Sequence, residues 1–482
     1  MLGTDQQNSF VGQWWIPNEP SKVSWGKLDI RERVELELHE TIDDWRALGR
    51  GDPYRPAVIH GVSGGFHLTL LDNVQISLST TERGGVGQAR RVVVASTVLV
   101  GDSHLETEED RRFDRAAFRL TNLDQWVNRN GYSVRHSPTE AIEVLEVPQL
   151  KAVIPGGAAY LWKSKSSTFD PKAGASLSSQ ETIELKLAER HSLDDISYRY
   201  VRPFEQLLTL ATGVQCEALN LHIGIDDPAA EWLNKWPGRH YEVRGPRAET
   251  LESQPVIRHH MRFGMNTPGF GPNVDFGEIV PRWFSLQEKL SYVCDLIFSL
   301  RTKSSGYLQQ QMFTIASAIE GLHRGLNPLL ERKTTETRAR NKEILDAIES
   351  GCPNHRDWLA GIVSTAHRPS YAFRVKELLQ RTDHRMVEIV GDEEVWTREL
   401  RKMRDGIGHV LSAAEDGKAV HEMIAMLRSA QFLAELVLLR ELGFSDADCQ
   451  QALDHRGERE SRRSQMERSF PAWFSGSLVA RD

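Results

Sequence analysis

The sequence predicts an α+β chain of more than one domain, β-rich at the start and helical at the end. Three observations carry that reading. Several N-terminal stretches alternate apolar and polar residues, the period of half-buried strands. From Trp283 onward the apolar residues recur instead at helical spacing. The 482 residues also exceed what one ordinary core of about 150 residues holds.

The totals set bounds on function. A hydrophobic fraction of 40% with 26% charged residues belongs to a folded soluble protein. No run approaches the ~20 apolar residues that span a bilayer, so no membrane partner is expected. The start, "MLGTDQQNSF", has neither the basic residues nor the apolar stretch of a signal peptide. Cys216, Cys294, Cys352 and Cys449 lie far apart and form no disulfide or CxxC pattern. A cytoplasmic location is expected. The net charge of −8 argues against a general nucleic-acid binder, although a local basic patch can still hold phosphate.

In order along the chain, "VELELHE" alternates Val34, Leu36 and Leu38 with polar neighbours. "FHLTLLDNVQISLST" and "RRVVVASTVLVG" repeat the signal with β-branched residues. Between them "TERGGVGQAR" lacks the Lys-Ser/Thr and following helix of a phosphate loop, and reads as a hairpin connection. These strands define a β-rich domain over 1–135. A mixed region over 136–280, sensing or regulatory, follows. "AIEVLEVPQLKAVI", "SSQETIELKLAERHS", "CEALNLHIGI" and "RHYEVRG" read there as strands. Residues 193–213 read as helix, broken or kinked at Pro203. The Gly- and Pro-rich loop 262–278 marks the expected boundary.

A helical domain is expected over 281–455. Its helices begin at "WFSLQEKLSYVCDLIFSL" and "YLQQQMFTIASAIEGLHRGL", the latter with Gly325 at a C-terminal position. "TETRARNKEILDAIESG" follows, then shorter helices near 356–366 and 370–381. The long "KAVHEMIAMLRSAQFLAELVLLRELGF" is apolar nearly all round at "LAELVLL", so it is buried or paired with another chain. Gly443 ends it and "SDAD" caps a last short helix. The charged tail, 456–482, reads as disorder or a solvated helix, with a basic RNA-holding arm as the sharper reading.

The chemistry concentrates in "ELRKMRDGIGHV", residues 399–410. Helix is expected from Glu399 to Asp405, followed by Gly406 and Gly408, each costing roughly 1 kcal/mol in a helix interior. Arg404 and His409 are five apart and so point about 140° away from each other on an ideal helix, whereas Asp405 and His409 share a face. Either the glycines loosen the turn or a second copy completes the site. A histidine can exchange a proton near neutral pH, and an arginine presents a fixed fork to phosphate oxygens. Together they suit attack of an RNA 2′-hydroxyl on its adjacent phosphate, without a metal or other cofactor. A solvated surface helix is the plainer alternative. "RPAVIH" places Arg55 and His60 at the same spacing in a strand-like context and is read as structural.

This stretch, its surrounding helices and the ending "LLRELGFSDADC" resemble the HEPN superfamily, and in particular the Apea-like HEPN domain. "FVGQWWIPNEPSKVSWGKLDI", "AVIHGVSGGFHLTLLDN" and "VLVGDSHLETEEDRRFDRAAFRLTNLDQW" resemble the N-terminal domain paired with it in ApeA-type anti-phage proteins. The resemblance rests on Gly12, Trp14, Trp15, Pro17, Gly61, Gly101, His104, Trp126, Arg404, Asp405 and His409. It implies a metal-independent endoribonuclease that acts as a homodimer with facing motifs, in abortive infection. Arg404, Asp405 and His409 are then the expected catalytic residues, with Glu320 and Arg401 in support. Many HEPN motifs carry Asn where this chain has Asp405, whose charge would oppose RNA unless paired, with Arg401 one turn earlier as partner. RNA, with transfer RNA as one candidate, and a phage-derived trigger are the expected partners. Two other readings stay open: a non-catalytic HEPN-like scaffold or RNA binder, and a ligand-binding β domain with a helical oligomeriser. Cys352, His355 and His367 lack a fourth zinc ligand at suitable spacing. His259 and His260 form an isolated pair, and Trp14 and Trp15 read as core and rim.

Overall fold

The computed structural model describes residues 8–39, 42, 55–83, 86–107, 109–135, 141–170, 174–226, 238–245, 261–266, 271–301, 306–351, 353–383, 385–408, 420–454 and 457–474. The chain forms two compact units, Met1–Glu205 with Cys216–Pro255, and Gln206–Gln215 with Val256–Asp482. It therefore passes from one unit to the other three times.

The first unit is a β structure, as the alternation requires. Its first strands are β1 (Ser9–Trp15), β2 (Ser24–Ile30), β3 (Val34–Leu38) and β4 (Val58–Ser63). Next come β5 (Phe66–Leu71), β6 (Val74–Arg83), β7 (Val86–Ala95) and β8 (Thr97–Gly101). The "TERGGVGQAR" stretch is a hairpin connection, with Arg83 of β6 opposite Val86 of β7. After β9 (Phe113–Leu120) and a short helix α1 (Leu123–Val127), β10 (Tyr132–Arg135) and β11 (Ala141–Val144) pair as a separate ribbon. The remaining strands are β12 (Leu150–Ile154), β13 (Gly157–Asp170), β14 (Gly174–His191), β15 (Ala218–Asp226) and β16 (Gly238–Arg244). The main sheet runs β12-β13-β14-β9-β15-β16-β8-β5-β4-β1-β2-β3-β7-β6, and every pairing is antiparallel.

Trp14 anchors this core. It is fully buried, and its indole Nε1 donates to the Gly26 carbonyl at 3.2 Å. A Cβ on Gly61 would lie 2.2 Å from the Trp14 ring, which is why that strand position has no side chain. Trp15, on the opposite face, is only half-buried, so the pair divides into core and rim.

Pro203 does not break its helix. Ser192 caps α2 (Leu193–Ile196), a π-helical turn follows at Ser197–Val201, and α3 (Arg202–Thr212) continues. Proline has no N–H to give to the preceding turn, and the widened turn accommodates that loss without ending the helix.

The second unit is a helical bundle. α4 (Phe276–Ser299) starts well before Trp283, because the Asp275 carboxylate caps it by accepting from the Glu278 N–H at 3.2 Å. The capping pair Asp275 and Glu278 was the overlooked signal, and Pro281 is tolerated near the helix start. α5 (Leu308–Leu326) packs on α4. Gly325 is the penultimate residue of α5, at the C-terminal position expected of it, and a Cβ there would come within 2.3 Å of Leu290 on α4. α6 (Thr335–Gly351), α7 (Arg356–Thr365), α8 (Tyr371–Arg381), α9 (Val387–Val390) and α10 (Glu393–Gly408) follow. α11 (Val420–Glu441), α12 (Asp446–Asp454) and α13 (Glu458–Ser469) complete the unit.

The "LAELVLL" stretch of α11 is buried inside its own unit, with Leu433, Leu436, Val437, Leu438 and Leu439 at 1% exposure or less. Of the two expected alternatives, burial or pairing with another chain, the structure shows burial. Buried in the same core is Glu435, bonded to Arg262 at 2.7 Å and to Arg301. Burial opposes its charge, yet Arg262, Arg301 and Arg462 together hold its carboxyl well below the usual carboxylate range. Arg262 also meets Glu458 of α13 at 2.8 Å, and Met466 of α13 is buried. The start of the charged tail is therefore a packed helix, not a disordered or solvated one. Among the described residues no helix is long and apolar enough to cross a membrane.

Candidate active site

α10 owes its placement to one stripe and one cap. Trp396, Leu400 and Met403, at helical spacing, are buried, and the indole of Trp396 donates to Ser429 Oγ at 3.0 Å. The Asp392 carboxylate accepts from the backbone N–H groups of Glu394 and Val395 at 2.9 and 3.0 Å. Met403 faces inward, so the next residue, Arg404, sits at the rim of the packed face, beside α5.

Arg404 donates to Glu320 Oε2 of α5 at 2.8 Å and to Asp405 Oδ1 at 3.1 Å. Arg401 reaches Asp405 Oδ2 at 3.4 Å, the one-turn pairing its spacing predicts. Arg404, Asp405, Arg401 and Glu320 are thereby assembled at one place. The side chains of Arg404, Glu320 and Asp405 are 36, 26 and 40% exposed, so the group opens to solvent. Ion pairs this exposed contribute about 0–1 kcal/mol each, and their weight here is in aiming the guanidinium.

The network continues along α5. Arg324 lies 4.0 Å from Glu320 and 3.6 Å from Glu331, which Arg374 also meets at 2.5 Å. Arg374 donates to Nδ1 of the buried His323 at 3.1 Å. That fixes the proton of His323 on Nε2, which donates to Glu377 at 2.5 Å.

Tyr371, at the start of α8, is a site residue the sequence did not reveal. Its ring lies 5.1 Å beneath the Arg404 guanidinium and is 7% exposed. Among the described residues its buried hydroxyl has no hydrogen-bond partner, and burial pushes the phenol well above its usual range. Ser370, whose side chain accepts from the Phe373 N–H at 3.2 Å, announced a helix start here, but nothing local announced the ring.

α10 continues through Gly406 and Gly408, so both glycines are helical, beyond the expected end at Asp405. Among the described residues nothing lies within 4 Å of where a Cβ on Gly406 would stand. His409 lies outside the described residues, as do Cys352, His259 and His260. His355 is exposed. Among the described residues no group of His, Cys, Asp and Glu is arranged to hold a metal ion. His60, the control histidine, is a buried strand residue whose ring stacks on His104 at 4.3 Å and bonds the Leu105 carbonyl at 3.2 Å. Burial, then the neighbouring His60 and His67, lowers the His104 pKa to about 3.

Comparison with known families gives two matches. Residues 9–249 match ApeA N-terminal domain 1, and residues 313–448 match the Apea-like HEPN domain. The second span contains Glu320, Tyr371, Arg401, Arg404, Asp405 and His409. No curated protein and no solved structure matches the chain.

Proposed function

Because the chain belongs to the family of ApeA N-terminal domain 1 proteins that carry an Apea-like HEPN domain, we propose that it is an endoribonuclease of anti-phage defence. The observation that carries this reading is Arg404, half-open at the rim of α10, aimed by Glu320 and Asp405, and included in the HEPN match.

In this reading the 2′-hydroxyl of RNA gives its proton to a base and attacks the adjacent phosphorus. The bond from phosphorus to the 5′-oxygen breaks, and that oxygen takes a proton from an acid. A 2′,3′-cyclic phosphate and a 5′-hydroxyl result. Arg404 binds the non-bridging oxygens, where negative charge builds in the transition state. His409 of one copy transfers one proton, and a second copy supplies the partner group. No metal is needed for this chemistry. Glu320 holds Arg404 until phosphate displaces it, and Asp405 is partly neutralised by Arg401. Transfer RNA fits as a substrate whose loss stops translation. The β-rich domain 1–135 and the mixed region 136–280, apart from the segments 206–215 and 256–280 that belong to the helical unit, restrain the helical domain until a phage component releases it.

The test is cleavage of RNA by the purified full chain with and without a chelator, beside Arg404→Ala and His409→Ala. Loss of ~3 kcal/mol or more of transition-state stabilisation, about 10²-fold or more in rate, is expected for each. Equal cleavage, or equal protection from phage, by both variants would remove the enzyme reading. The two carboxylates on Arg404 favour the second reading, a non-catalytic RNA-binding or dimerising scaffold. That reading predicts RNA binding without new 5′-hydroxyl ends.

A further inference from the structure

Between α5, which carries Glu320, and α8, which opens on Tyr371, the chain inserts the hairpin of α6 and α7. Neither helix buries a residue. A fold that needs this hairpin for its core would bury one face of it, so its retention needs another account.

Charge supplies that account. Residues 332–342, "RKTTETRARNK", hold Arg332, Lys333, Arg338, Arg340 and Lys342 against one carboxylate, Glu336. All five cations are exposed, and none is ion-paired among the described residues. Arg324, Arg374, Arg401 and Arg404 nearby are all engaged with carboxylates. Glu343, Asp346 and Glu349 follow on α6, so the basic surface suited to a polyanion is the start of the hairpin, residues 332–342, on a chain of net charge −8. The surface is also tied to the site. Glu331, immediately before the basic run, pairs with Arg324 and Arg374, in the same network that reaches Arg404 through Glu320. On α7, Trp358 is 67% exposed and offers a ring on which a base can stack.

We propose that the α6–α7 hairpin is an arm that grips the phosphate backbone of the RNA substrate beside Arg404. The inference rests on the nuclease reading and adds to it a binding surface outside the Arg-His motif. The unpaired cations favour RNA over a protein partner, because each contact with a phosphate releases a condensed counterion.

The test uses the full chain carrying His409→Ala, so that bound RNA is not cut. Anisotropy of labelled bulk transfer RNA and of labelled oligouridylate is followed across a potassium chloride series. Adding Arg338→Ala, Arg340→Ala and Lys342→Ala together is expected to lower the log–log salt slope by about 2 and to weaken binding about tenfold or more. Unchanged slope and affinity, with wild-type cleavage intact, overturn the arm and leave the nuclease reading standing. No RNA binding by the parent together with no cleavage by wild type removes both. If the triple variant binds RNA normally but Trp358→Ala alters self-association in ultracentrifugation, the hairpin is a protein interface and the arm is again overturned.

Discussion

Gly406 poses a question that packing among the described residues does not answer. Glycine in a helix interior is less favourable than alanine by about 1 kcal/mol, and here a methyl group would meet no atom of the described residues. Gly406→Ala is therefore expected to raise stability by about 0.5–1 kcal/mol, measured by denaturant unfolding. If glycine is kept so that a substrate or a second copy can approach the backbone, the same variant loses cleavage activity. A variant that is both more stable and fully active would show that no close approach occurs there. Arg404, Asp405 and Glu320 were legible in the sequence because each is a local feature: a motif, a neighbour, the edge of an apolar face. Tyr371 was not, because a ring placed under a guanidinium is a product of tertiary packing. Arg262 was hidden for the same reason. Its partner Glu435 is 173 residues away, and its own surroundings read as a linker.

At the level of elements, α11 and α13 depend on the cluster of Glu435 with Arg262, Arg301 and Glu458. Removing one partner of a buried ion pair leaves a charge uncompensated, so Glu435→Gln is expected to destabilise the helical unit by about 3–5 kcal/mol. The pH dependence follows from the depressed carboxyl of Glu435. Its stabilising contribution is fully present above its ordinary value of 4.5 and is lost as pH falls below it. Thermal unfolding of wild type should drop below about pH 4.5, while Glu435→Gln starts lower and falls less steeply. Parallel profiles would assign the acid sensitivity elsewhere. Most helices were visible in the sequence through their periodicity, and the misplaced ends have local causes. Pro203 was read as punctuation, yet a π-turn absorbs it, and the Asp275 cap at the end of the loop 262–278 starts α4 ahead of Trp283.

For the molecule as a whole, the three passages of the chain between units matter most. Within the helical unit, Gln206 bonds Asp295 at 2.8 Å and Gln287 at 2.7 Å. Ala211 accepts from the Arg262 backbone N–H at 2.7 Å, and Gly213 from the Arg301 side chain at 3.1 Å. A fragment of residues 256–482 loses all four bonds, and a cut at 280 also removes Arg262 and the Asp275 cap. The fragment 256–482 is expected to unfold at a lower temperature than the helical unit of the full chain, and a supplied peptide covering 206–215 should recover part of the difference. An equal melting temperature without the peptide would show that segment to be dispensable. Toxicity measured after such deletions thus reports on folding as well as on release of restraint. The same threading limits how recombination can remodel this protein. A crossover at one point cannot deliver an intact helical half to a new sensor, because ten of its residues, Gln206–Gln215, are encoded within the other half's gene segment.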